Sequence, residues 1–153
     1  MNQKIIRLSK SCIGNAEKAA VQGVLNREYL GMGAEVQQFE EALTEFFGRP
    51  AVCVVNGTAS LHLALQACGI GRGDEVLVPS LTYIASFQAI SASSAKPVAC
   101  DINSETFQLD LADAEKRITP RTKAIMPVHY TGGVGELDAL YTFSKKHTLR
   151  IIE

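Results

Sequence analysis

From residue 51 onward, short apolar runs alternate with stretches of helical spacing. The first run, Ala51-Val52-Cys53-Val54-Val55, is apolar without alternation, the pattern of a parallel strand covered on both faces. Asn56-Gly57 breaks it, and the glycine permits a sharp turn and close approach of a ligand to backbone. From Thr58 onward, small and apolar residues predict a helix packed flat on a sheet. Further strands are expected at 75–78 (ended by Pro79), at 97–100 (closed by Asp101), at 122–128 and at 149–152. Helices are expected at 82–94, 110–118 and 136–147. The last of these has its acids early and its bases late, which complements the helix dipole. Upstream, Gly14-Asn15 reads as a helix start with Asn15 as N-cap and Glu17 in the first turn. A loop holding Gly31 and Gly33 follows. Val36, Phe39, Leu43, Phe46 and Phe47 then fall at helical spacing, with Gly48 where a left-handed C-terminal residue belongs. The division is therefore an N-terminal helical segment at 1–50 and the first part of an α/β domain at 51–153.

Alternation of strand and helix predicts a mainly parallel sheet with helices on both faces, a three-layer arrangement. Ligands of such sheets bind beyond the carboxyl ends of the strands. That rim would hold residues 56–59, 80–83, Asp101, His129 and Tyr130. The first amides of a helix after residue 56 lack intrahelical partners, so the turn could hold a phosphate. These residues alone leave that reading and an empty βα corner equally open. No lysine follows the glycine as in a P-loop, and the spaced glycines of a dinucleotide fingerprint are missing. Read alone, Tyr83 is core packing, His129 a hydrogen-bonded structural histidine, His62 structural and Asp101 a cap or turn residue. Gly132-Gly133-Val134-Gly135 reads as a flexible connection.

Composition narrows the function classes. With 153 residues the chain can bury one substantial core, and a net charge of −1 without a basic run gives no nucleic-acid surface. Residues 1–7 lack the apolar stretch of a signal peptide, and no segment approaches membrane-spanning length. Cys12, Cys53, Cys68 and Cys100 are not spaced as metal pairs, so no metal is expected. Three of them sit in apolar surroundings as small core filler, and a reducing cytoplasm is the default. No Ser-His-Asp or paired-carboxylate constellation is legible. The chain stops at Glu153, in or just after a strand, which reads as a fragment of something longer.

Several segments, in order, resemble the N-terminal part of the DegT–DnrJ–StrS sugar-nucleotide aminotransferases, fold-type-I pyridoxal-phosphate enzymes. They are Tyr29-Leu30-Gly31-Met32-Gly33, Asn56-Gly57-Thr58-Ala59-Ser60-Leu61-His62, Gly71-Arg72-Gly73-Asp74-Glu75-Val76, Pro79-Ser80-Leu81-Thr82-Tyr83, and Pro127-Val128-His129-Tyr130. The resemblance implies the large domain of that fold, incomplete in this chain. It implies that Gly57, Thr58 and Ala59 hold the phosphate of pyridoxal 5'-phosphate. Tyr83 would stack on the ring, reversing its plain reading, and His129 would lie near cofactor or substrate. Tyr29 and Gly31 would lie near the sugar-nucleotide entrance. Asn56 stands where the family often has Ser, Ser60 where it often has Ala, and Ser94 where Gly is common. The implied activity is transfer of an amino group from an amino acid, glutamate by expectation, to a nucleotide-linked keto-sugar. It is the chemistry of deoxysugar and of lipopolysaccharide or O-antigen biosynthesis, in a cytoplasmic homodimer. The Schiff-base lysine and an Asp facing the pyridine nitrogen would lie downstream, so this chain alone should be inactive and could lack cofactor. Alternatives are a pyridoxal-phosphate sugar dehydratase of the same family, a non-catalytic regulatory or binding protein on the fold, and an unrelated nucleotide-binding α/β domain.

Overall fold

A computed structural model of the chain describes residues 9–153. The N-terminal stretch 1–7, read above for a signal segment, lies outside the described residues. Two compact units emerge, Met1–Cys53 and Val54–Glu153.

The first unit carries helices α1 (Asn15–Asn26) and α2 (Ala34–Phe47). Gly14, not Asn15, is the N-cap of α1: its backbone is extended and its N–H donates to Glu17 Oε2 at 2.6 Å. The glutamate thus satisfies the helix start from inside, and Asn15 is drawn into the first turn. Helix α2 ends at Gly48, whose φ of 62° is the left-handed stop that glycine adopts without penalty. Neither helix contains a buried residue.

The second unit is built on a four-stranded parallel sheet of order β2-β1-β3-β4, with β1 Glu75–Pro79, β2 Lys96–Cys100, β3 Thr122–Ile125 and β4 Arg150–Ile151. In register, Val76 pairs with Pro97 and Ala124, and Leu77 with Val98 and Ile125. Side chains alternate faces along a strand. Val76, Val78, Ala124 and Met126 accordingly pack on one side with Leu65 of α3 (Gly57–Ala67) and Ile90 of α4 (Ala85–Ala92). Leu77 and Ile125 face the other side, against Ala114 of α5 (Leu111–Arg117) and Phe143 of α6 (Leu137–His147). This is the expected three-layer α/β arrangement. Asp110 caps α5, its Oδ1 accepting from the N–H of Ala112 at 2.8 Å. Lys146 and His147 at the end of α6 both reach Glu115 of α5 at 2.8 Å.

Two further expectations fail. The run 51–55 forms no strand among the described residues, and Val52 and Val55 are 79% and 88% exposed. A strand exists only where a neighbour takes its backbone groups, and none of the four strands pairs with this segment. Its apolarity is real, but hydrophobicity does not supply a pairing partner. Helix α3 is correspondingly only half covered, with Leu65 its one buried residue. Of the three cysteines read as core filler, only Cys100 is buried; Cys53 is partly covered and Cys68 is exposed.

Candidate active site on the carboxyl rim of the sheet

Because all four strands are parallel, their carboxyl ends form one edge. Residues 80–83 leave β1, Asp101 leaves β2, His129 follows β3, and Glu153 follows β4. Helix α3 runs back over the sheet and hands the chain to β1, so its N-terminus lies toward that same edge.

The turn before α3 shows what it could hold. Asn56 is the N-cap, its Oδ1 accepting from Ala59 N at 2.9 Å, while its carbonyl accepts from Ser60 N. The amides of Gly57 and Thr58 find no partner among the described residues. A Cβ placed at Gly57 would meet nothing within 4 Å, so the space over the turn is open. Two free amides at the positive end of a helix dipole suit an anion. The Ala59 amide is already used by the Asn56 side chain, and an anion reaching it would displace that cap.

Tyr83 is 79% exposed, and its hydroxyl has no partner among the described residues. Its carbonyl accepts from Ser86 N, and Thr82 Oγ1 lies 2.9 Å from Ser86 Oγ, which ties the loop to the start of α4. The ring therefore stands on a fixed backbone with a free face. His129 begins the tight turn Tyr130–Gly132: its carbonyl accepts from Gly132 N at 3.0 Å. Its Nε2 stands 3.2 Å from Glu153 Oε1, and its Nδ1 is buried without a partner among the described residues. Gln108, on the hairpin that follows β2, donates from Nε2 to Gly133 O at 2.7 Å. Asp110, His129, Gln108 and Leu140 help to line a cavity of about 420 Å³. Burial pushes the Cys100 thiol at the end of β2 up to about 11, so it stays protonated and is no nucleophile near neutral pH.

Tyr29 and Gly31 belong to the first unit. The Tyr29 ring is 63% exposed and lies over Gly33, where an added Cβ would stand 3.1 Å from it. With Met32, Val36 and Glu40 it borders a second cavity of about 420 Å³. Gly31 does not line that cavity. Sequence reasoning passed over Glu153 and Gln108. Each meets its partner across 24 or 25 residues, and only the strand order brings them together.

The DegT/DnrJ/EryC1/StrS aminotransferase family model matches residues 11–153. The chain belongs to that family. It is 48% identical over 123 residues to GDP-perosamine synthase of Caulobacter vibrioides, a stretch covering 80% of this chain and 33% of that protein. Among solved structures, an aminotransferase from Psychrobacter cryohalolentis superposes with a TM-score of 0.85 at 34% identity, over 93% of this chain and 37% of the other. NtdA from Bacillus subtilis, solved with bound PMP, gives 0.84 at 30% identity, over 99% and 37%. The chain thus spans about a third of the length of the relatives it matches. As a family member it has the α/β fold of fold-type-I pyridoxal-phosphate aminotransferases, and its relatives are sugar aminotransferases.

Proposed function

We propose that the protein carries out pyridoxal-phosphate-dependent transfer of an amino group from an amino acid, glutamate in our reading, to a nucleotide-linked keto-sugar. The observation that carries this is the turn before α3. Gly57 and Thr58 offer unpaired amides to open space in a chain whose relatives are sugar aminotransferases. The residues present fit the group. The α3 amides and the Thr58 hydroxyl would take its phosphate, the free face of Tyr83 would cover its ring, and His129 would border the reacting region. When bound, the cofactor supplies an electron sink for the substrate carbon. The protein's part is to hold and orient it by fixed amide dipoles and a stacked ring, without reorganisation. Tyr29 and Gly31 are assigned to the approach of the sugar nucleotide. The lysine that carries the cofactor is assigned to a region beyond residue 153, and the working enzyme is read as a cytoplasmic homodimer. Among the described residues no helix is long and apolar enough to cross a membrane.

The test is borohydride reduction after incubation with pyridoxal phosphate, followed by peptide mapping, on this chain and on the full-length protein. One stoichiometric lysine labelled beyond residue 153 is expected, with none in this chain. A single dominant labelled lysine within residues 1–153 would overturn the placement. A full-length protein with no specific lysine would point instead to the dehydratase or to a non-catalytic protein.

A further inference from the structure

Four rim observations concern one histidine. His129 Nε2 lies 3.2 Å from Glu153 Oε1, and both side chains are about one-third exposed, at 34% and 38%. His129 Nδ1 is buried and has no partner among the described residues. The His129 backbone is fixed by the Gly132 N–H on its carbonyl. Glu153 is anchored by its neighbour, since Ile152 is 4% exposed and donates its N–H to Ile125 O at 3.0 Å.

The two neutral tautomers of the ring are not equivalent in this setting. With the proton on Nδ1, a bare Nε2 lone pair would face a carboxylate, and an N–H would be buried unpaired. With the proton on Nε2, the ring donates to Glu153 and leaves only a lone pair at Nδ1, which avoids both penalties.

We propose that Glu153 is a positioning residue for His129: its carboxylate locks the Nε2–H tautomer and so fixes Nδ1 as a bare lone pair, an acceptor that only a hydroxyl or N–H donor can satisfy. The His–Glu pair ties the loop that follows β3 to the end of the adjacent parallel strand β4, so the ring is held against the sheet edge rather than left to turn freely. The tautomer does not depend on the aminotransferase reading.

The experiment is a long-range ¹H–¹⁵N correlation spectrum of the imidazoles in the full chain, at pH 8 without cofactor, with His62 and His147 as internal references. His129 is expected to show an unprotonated Nδ1 and a protonated Nε2, with this tautomer favoured at least about tenfold. In Glu153→Ala the preference should fall toward that of a free imidazole. In Glu153→Gln it should be retained, since the amide oxygen accepts the same hydrogen bond. If Glu153→Ala loses its dispersed spectrum, the wild-type and Glu153→Gln spectra decide the matter. A protonated Nδ1 or mixed tautomers in the wild type, a protonated Nδ1 in Glu153→Gln, or an unchanged ratio in a folded Glu153→Ala would each overturn the proposal. Any of these would leave the aminotransferase reading standing. A labelled lysine inside residues 1–153 would strike that reading and leave the tautomer untouched.

Discussion

Glu75 is the most heavily engaged charge in the second unit. Its side chain is 2% exposed and accepts from Thr119 Oγ1 at 2.5 Å, Arg121 at 2.9 Å and Lys96 at 3.2 Å. These bonds, the Thr119 hydroxyl first and the Arg121 guanidinium next, hold its carboxyl down at about 2, against an ordinary 4.5. The folded state therefore binds this proton less readily than the unfolded one. Its stabilisation is complete above about pH 4.5 and is lost as pH falls toward 2. Glu75→Gln should cost about 1–2 kcal/mol near neutral pH, because Arg121 and Lys96 remain exposed and can return to water. Urea melts between pH 7 and pH 3 should show the gap between variant and wild type closing as the pH drops. A gap that stays constant would mean the carboxylate is not the titrating group. Asn56 carries a second residue-scale prediction. Asn56→Ala removes the cap on Ala59 N and should cost about 1 kcal/mol. Under the proposed function it also frees that amide for phosphate, so pyridoxal-phosphate affinity in the full-length protein should hold or rise while the melting point falls. A fluorescence titration showing affinity lost in step with stability would assign Asn56 itself to the phosphate.

The loop after β3 is an element held by its neighbour, and a glycine shows how closely. A Cβ on Gly135 would stand 2.8 Å from Gln108 Cγ, too close for any real Cβ contact, and a tight 3.2 Å from Gln108 Cβ. The same Gln108 binds Gly133 O. Gly135→Ala should therefore push Gln108 off Gly133 and cost about 1–3 kcal/mol. The second substitution Gln108→Ala removes the clash, so the double variant should be less destabilised than the two single losses summed. Additive losses in chemical denaturation would show that the two residues do not press on each other. At this scale the sequence was informative wherever a local rule governs. The strands at Glu75–Pro79 and Lys96–Cys100 and the Gly48 stop follow from periodicity and turn chemistry. The run 51–55 misled because periodicity reports apolarity, whereas a strand also needs a partner for its backbone. Helix 82–94 shortened to Ala85–Ala92 because the Thr82–Ser86 bond and the Ser86 N–H to Tyr83 carbonyl bond shape residues 82–84 as a turn. At the site, the turn at Asn56-Gly57 and the rim position of His129 were legible, while the capping of Ala59 N by the Asn56 side chain was not. The pairing of His129 with Glu153 was not, since it depends on β3 lying beside β4.

At the scale of the whole molecule, the two units differ in how they hold themselves together. In the second, both faces of the sheet are covered, and Leu65, Val76, Leu77, Val78, Ile90 and Ile125 have no exposed surface. In the first, no described residue is buried; Leu30 is 72%, Met32 68%, Phe46 81% and Phe47 64% exposed. Helices of 12 and 14 residues are marginal in water when their apolar faces find no cover, because the hydrogen bonds of a helix barely offset the entropy of forming it. Backbone amides of α1 and α2 should therefore exchange with solvent at least about 100-fold faster, relative to their intrinsic rates, than those of β1 and β3. Hydrogen exchange of the isolated chain, followed by mass spectrometry of peptides from 15–47 and 75–79, measures this directly. Equal protection would show that the apolar side chains of α1 and α2 are covered in solution. An abrupt rise in protection of 15–47 with increasing chain concentration would identify the cover as another copy of the chain. Rapid exchange at every concentration would mean that the helical faces of the first unit contribute no core of their own in this chain, and that the sheet alone sets the stability on which the rim residues depend.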